Sequence, residues 1–328
     1  GYREGIESVW ESAKIRVNTS ALETLGASHD GAITALGSAV DACITILSLN
    51  PLGILHQYNL SQVRTHRLAM DPFHRFVLSG NTCSTIMLVA LNGYHWLGPN
   101  GATNMLGLCL ETPGHVEGAC VSNDGSKFAV AAGAELCIMD IHDEGNLLRL
   151  FSRYKTKIGY SPIRYLSFSP DGTSLLGGTG SEGFIGSAGD ERLFLWTSTG
   201  NRTQWSRQHS LGWLVGAGWT TDGENVVTVT ANGIVRRIRV QDGTEMDSFD
   251  TKAICNSFSM TSDTCFGCIG TFHGAQIWDL KQKKMIQTIY ANRGNCVASY
   301  LLDRATRCLT AYETGELYLS EIDWTWSF

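Results

Sequence analysis

A chain of 328 residues with 43 % hydrophobic side chains can bury a large core, and all-β architectures of this length often form one unit. No run approaches the roughly 18 to 20 apolar residues that span a bilayer, which excludes a transmembrane helix. A net charge of −6 argues against a general nucleic-acid binder, whose surface carries a basic excess.

In chain order, a short apolar strand runs seven times into a turn built on Asp, Gly or Pro, with further strands behind it. The turn aspartates, or their equivalents, are Asp30, Asp71, Asp124, Asp171, Asp222, Asp263 and Asp303. The clearest copies read Ser122-Asn-Asp-Gly125, Ser169-Pro-Asp-Gly172 and Thr220-Thr-Asp-Gly223. A period of roughly forty to fifty residues marks a unit that cannot bury its apolar face alone and must stack on its neighbours.

The first unit spans about residues 20–60, with candidate strands at 32–37, 42–49 and 53–58. The second spans 63–110, with strands at 75–79 and 84–91, and the third spans 115–151, with strands at 128–132 and 135–141. The remaining units occupy about 162–206, 213–249, 253–290 and 295–328. Short segments rich in Val, Ile, Leu, Phe and Cys, punctuated by Gly or Asp, are the strand signal, and no window sustains a helical period. The expected fold is therefore all-β: one seven-bladed β-propeller of four-stranded antiparallel blades. Radial stacking leaves two raw faces unless the ring closes. The strand-like segment 6–17 precedes the first unit, and residues near Gly5 to Trp10 are expected to pair into the last blade.

Four pieces of sequence resemble the WD-repeat family. Gln276-Ile-Trp-Asp279 has the Trp-Asp ending that names it, and Ser187-Ala-Gly-Asp190 with Leu193-Phe-Leu-Trp196 looks like its turn aspartate and third strand. Gly114-His115 stands where the family places Gly-His at a blade entrance, and Ser169 to Gly172 matches its Ser-Pro-Asp-Gly turn. Most blades lack Trp-Asp, and the family's His, Asp, Ser/Thr and Trp tetrad is complete in none. The resemblance implies a rigid platform that binds peptides, other subunits or modified tails on the face carrying the b–c and d–a loops.

Most chemical motifs dissolve on inspection. Gly178-Thr-Gly-Ser-Glu-Gly183 matches a dinucleotide fingerprint, but no helical run follows to offer its N-terminus to a pyrophosphate. Cys265-Phe-Gly-Cys268 has a metal-like spacing without a second ligand pair, and two packing thiols are the simpler account. Arg236, Arg237 and Arg239 read as a solvated outer-strand face, with an anion patch as the competing reading. No Gly-x-Ser-x-Gly elbow is present. No cofactor or metal is expected, and no enzymatic activity. Ten dispersed cysteines suit reduced thiols in an intracellular protein, cytoplasmic or nuclear. The opening residues, with Arg3, Glu4 and Glu7, carry no apolar signal.

The most asymmetric region is blade 4. Its b–c loop, about residues 177–189, is long and contains Glu182 and Phe184. The connection before it, residues 152–161, carries Arg153, Tyr154, Lys155 and Tyr160, and the one after carries Arg207, His209 and Trp213. Exposed Tyr, Trp and Arg are typical of binding hot spots, and long loops on rigid scaffolds often carry function. The leading expectation is a non-enzymatic scaffold that binds a protein or peptide partner through these residues, as part of a larger complex. The competing expectations are an ordinary solvated rim and a propeller enzyme or small-ligand binder that uses the central channel.

Overall fold

The computed structural model describes residues 2–17, 22–27, 32–38, 42–59, 65–98, 101, 103–104, 107–133, 135–157, 162–180, 191–198, 202–208, 212–289 and 294–328. They form seven sheets, each built on four antiparallel strands, arranged as the blades of a propeller. Within each blade the strands are labelled a to d from the channel outwards. The seven strands a are Leu22–Ala27, Thr65–Met70, Val116–Val121, Ile163–Phe168, Leu214–Trp219, Cys255–Met260 and Cys296–Leu302. Each lies against the strand a of the next blade, and that of blade 7 lies against that of blade 1, so the ring is closed. Among the described residues no helix is long and apolar enough to cross a membrane.

Apolar faces meet between blades. Phe76 and Leu78 of blade 2 pack with Val116, Phe128 and Val130 of blade 3, and Leu176 and Leu195 of blade 4 pack with Leu214 and Val226 of blade 5. Strand b must be thin where the next blade's strand a begins. A Cβ on Gly80 would lie 2.3 Å from Val116 Cγ1, and one on Gly178 would lie 2.5 Å from Leu214 Cβ. Gly178, the first glycine of the nucleotide-like motif, is therefore a packing residue. It sits in strand b of blade 4, Ser174–Thr179, which continues past the expected loop start at Gly177.

Blade 2 carries an addition that the sequence reading did not include. Strands c and d of blade 2, Thr85–Ala90 and Gly107–Glu111, are separated by an insertion that carries two further strands, His95–Leu97 and Thr103–Asn104. These join the outer edge of blade 3, where His95 and Trp96 run parallel to Leu147 and Leu148, making that sheet six-stranded. Trp96 anchors the insertion, fully buried and edge-on to Phe76 at 5.2 Å.

Closure comes from the chain ends. Strand d of blade 7 is the N-terminal strand Tyr2–Arg16, antiparallel to strand c, Glu316–Ser327, from Tyr2 opposite Ser327 to Arg16 opposite Glu316. The latch is longer than the expected stretch around Gly5 to Trp10. Trp324 is buried against Phe266 of blade 6, with ring centroids 4.6 Å apart, and its indole N–H donates to the Ala305 carbonyl at 2.7 Å. Arg3 lies over Trp324 at 5.0 Å, a cation–π contact that secures the strand's first residues.

The a–b turns repeat one hydrogen-bond pattern. The Ser169 hydroxyl donates to Asp171 at 2.6 Å, the Thr173 amide donates to Asp171 at 3.0 Å, and the Ser174 amide donates back to Ser169 Oγ at 2.9 Å. Ser122 with Asp124, Thr220 with Asp222 and Thr261 with Asp263 do the same. Burial opposes ionisation of Asp124, but hydrogen bonds from Ser122 and Ser126, with Lys127 nearby, bring its carboxyl down to about 2.

Asp71 departs from this pattern and is not the equivalent of Asp124. Its amide bonds the Phe76 carbonyl, as the Ser122 amide bonds the Lys127 carbonyl, so Asp71 occupies the hydroxyl position two residues earlier. Fully buried, it accepts from Arg75 Nε at 2.8 Å and Nη2 at 3.0 Å, while Arg75 also donates to Gly125 O and Asp143 of blade 3. Asp303 opens a short 3-10 turn, Asp303–Ala305, at the corresponding end of blade 7. Asp30 lies outside the described residues.

The arginine strand of blade 5, Ile234–Arg239, is strand c rather than an outer strand. Arg236 is buried and faces Glu245 at 3.4 Å, and the exposed Arg237 meets Asp247 at 3.1 Å. Strand d neutralises this strand from alongside. Cys268 is buried, as a packing thiol should be, whereas Cys265 is half-buried in the turn.

Two stability outcomes follow from this frame. Removing residues 1–17 should lower the melting temperature by on the order of 10 °C or more, since it strips the outer strand of one blade; an unchanged melting curve would contradict the latch. Arg75→Met should cost about 3–5 kcal/mol in urea denaturation by stranding Asp71, and the Asp71→Asn/Arg75→Met double variant should cost less. Equal losses in the two variants would contradict the ion-pair assignment.

Candidate functional site

Strand order places the d–a and b–c connections on one face, called here the upper face, and the a–b and c–d turns on the lower one. In every strand a the pairing with strand b shifts register at the second residue, as between Thr65 and Arg67, Val116 and Gly118, and Ile163 and Tyr165. The same shift occurs at Leu22/Thr24, Leu214/Gly216, Cys255/Ser257 and Cys296/Ala298. A bulge re-aims the extra side chain and frees it from the blade core. Seven such bulges form a ring near the upper end of the channel. Among the described side chains they present His66, Glu117, Arg164, Val215, Asn256 and Val297.

Three of these neighbours interlock. His66 Nε2 lies 3.0 Å and Arg164 Nη1 3.2 Å from the same oxygen, Glu117 Oε2. Arg67 reaches across the same blade boundary, with Nε donating to the Glu117 carbonyl at 2.7 Å and Nη1 to the His66 carbonyl at 2.8 Å. Burial alone would raise the Glu117 carboxyl, but the His66 hydrogen bond and the charges of Arg164, His66 and Arg67 hold it below its usual range. The Arg164 guanidinium also lies 6.0 Å above the half-buried Trp213 ring of blade 5. Across the channel, Asn256 donates to Asn295 Oδ1 at 2.5 Å, and Ser257 and Ser299 pair at 3.2 Å.

The channel holds a cavity of about 600 Å³, whose wall runs from Arg67, Arg164, Trp213 and Asn256 at the upper end to Trp219 and Met260 at the lower. An overlapping space of about 680 Å³ at the lower end is lined by strand ends and turns such as Met70, Phe168, Trp219 and Met260. On the upper face outside the mouth, Ile254 in the d–a connection and Phe272 in the b–c turn of blade 6 are 41 % and 43 % exposed. Among the described residues, no group of three or more His, Cys, Asp or Glu has a metal-binding arrangement.

Of the residues expected from sequence to form a partner site, Arg153, Tyr154, Lys155, Arg207 and Trp213 lie among the described residues, on three successive blades. Arg153, Tyr154 and Lys155 belong to strand d of blade 3, Leu147–Lys157, because its partner strand Glu135–Asp143 is long enough to pair with them. They are outer-edge residues rather than loop residues. Arg207 lies in strand d of blade 4, Thr203–Gln208, and its guanidinium donates to the Asp242 carbonyl in the lower c–d turn of blade 5. It ties two blades together and points away from the upper face. Trp213 stands at the channel mouth. Tyr160, Glu182, Phe184 and His209, with most of the blade 4 loop, lie outside the described residues.

His66, Arg67, Glu117 and Arg164 carried no motif. Their signal is positional: a polar residue directly after the first residue of strand a, in Thr65-His66, Val116-Glu117, Ile163-Arg164 and Cys255-Asn256. No protein-family model matches this chain, and a search of curated proteins returns no match.

The Glu117 shift has a definite sign. Its folded pKa lies below the unfolded value near 4.5, so its stabilisation is present above that pH and disappears as pH falls through the folded value. The stability difference between wild type and Glu117→Gln should therefore be largest near pH 6 and shrink toward pH 3 in denaturation series. A difference that stays constant over this range would contradict the cluster.

Proposed function

We propose that this chain is a non-enzymatic interaction scaffold of the WD-repeat type. It would hold a protein or peptide partner on its upper face, as an intracellular subunit of a larger assembly. The observation that carries this reading is the upper face itself, where Ile254 and Phe272 of blade 6 are exposed and Trp213 of the neighbouring blade stands at a polar channel mouth. Apolar and aromatic anchors next to arginine have the composition of binding hot spots. The closed ring supplies a platform whose surface needs little ordering on binding.

Several placements support the WD assignment. Trp278-Asp279 closes strand c of blade 6, Gly274–Asp279, and Trp196 lies in strand c of blade 4, Arg192–Thr197. Ser169 to Gly172 makes an a–b turn, and His115 stands immediately before strand a of blade 3. His115 is exposed, however, and the Trp278 indole N–H donates to Gln276 rather than to a tetrad partner. Ten cysteines present as thiols support a reducing compartment.

The competing reading, a small-ligand binder or enzyme working in the channel, draws on the His66–Glu117 pair beside a cavity of about 600 Å³. Pull-downs from cell extract separate the two. Ile254→Ser/Phe272→Ser should lose most of the partners that wild type recovers, whereas a triple substitution at Tyr154, Lys155 and Arg207 should retain them. Identical recovery by wild type and Ile254→Ser/Phe272→Ser would overturn the upper-face assignment.

A further inference from the structure

The charge on the channel wall is one-sided. Among the described residues lining the channel cavity, the charged side chains are Arg67 and Arg164, both near its upper end, and none is acidic. The overlapping space at the lower end adds Arg304 and again no carboxylate. This occurs in a chain of net charge −6, so it does not reflect a generally basic surface. Glu117, the carboxylate that pairs with Arg164, is buried and is set against two arginines and His66.

Both arginines are positioned before any ligand arrives. Arg67 is fixed by two backbone carbonyls, and Arg164 by Glu117 on one side and the Trp213 ring on the other. A guanidinium held in place meets a carboxylate in a fork geometry and loses little side-chain entropy on doing so. Inside a recess the attraction is also screened less than on an open surface.

We infer that the mouth of the channel is a carboxylate-binding subsite. It receives an Asp or Glu side chain, or a chain-terminal carboxylate, from an extended segment of the partner protein. Arg67 and Arg164 take the carboxylate while flanking apolar side chains of the segment rest on Trp213, Ile254 and Phe272. This inference rests on the interaction reading above and narrows it to one class of partner: a segment with an acidic residue between apolar ones.

The test uses the full chain and a phage-displayed library of random dodecapeptides. Enriched peptides should carry Asp or Glu next to apolar residues. Their affinity should fall about tenfold or more on Arg164→Gln or Arg67→Gln, and by a similar factor when the peptide's acid is changed to its amide. Arg164→Lys, which keeps a positive charge beside Glu117, should retain more binding than Arg164→Gln, and melting curves establish that each variant is folded. Enrichment without acidic residues would overturn the subsite, as would acidic peptides that bind the folded arginine variants as tightly as wild type. Competition by inorganic phosphate with no peptide enriched would also overturn it, in favour of a free-anion site. Peptides lost on Ile254→Ser/Phe272→Ser but kept on both arginine variants would leave the interaction face standing and remove the carboxylate subsite. Peptides indifferent to all these changes would remove both.

Discussion

Each blade of this protein is a sheet with two apolar faces, and neither can be covered from within the blade. The covering surface is always the next blade. Phe76 and Leu78 are shielded by blade 3, Leu176 and Leu195 by blade 5, and Phe266 by the Trp324 of blade 7. Burial of this kind stabilises at roughly 25 cal/mol per Å² of apolar surface, so one unpaired face would forfeit a large share of the total. Closure is therefore a requirement of the core. Pairing of the first strand with the last repeat meets it by joining the two ends of the chain in one sheet.

The same constraint explains where polar chemistry sits. Close packing of the blades demands small residues in strand b opposite the first residue of the next strand a, as at Gly80 and Gly178. Immediately after that contact each strand a bulges, and the bulged residue leaves the interblade core. Seven blades thus bring one residue each to the same end of the channel, and cross-blade pairing follows wherever neighbours are complementary. His66, Glu117 and Arg164 come from three successive blades. The interlock is a by-product of ring geometry, and it leaves Arg67 and Arg164 fixed at the edge of a cavity.

The repeat period, the candidate strands of blades 1, 2 and 3 and the closing role of the N-terminal segment were readable because they rest on apolar alternation and turn chemistry, both local properties. Asp71 was misaligned because its carboxylate does in blade 2 what a hydroxyl does elsewhere, and a lone Asp-Pro offers no hint of the buried Arg75 partner. The insertion carrying His95–Leu97 was missed because three residues are too few to show a period. Arg236 read as a solvated face because its neutralising partner Glu245 stands on another strand. The channel-mouth cluster was invisible for a related reason. Its members are 47 to 51 residues apart, and only the bulge at the second residue of strand a brings them together. The arginine and tyrosine run 153–155 looked like a loop because nothing local announces how far its partner strand extends.

Hydrogen–deuterium exchange read by mass spectrometry tests the closed ring most directly. Peptides covering Ile6 to Arg16 should keep a slow-exchanging set of amides, those that bond strand c, while Leu317 to Ile322, paired on both sides, should be protected more fully. Exchange of the N-terminal segment within seconds, at the rate of a free tail, beside a protected blade 7, would contradict the account.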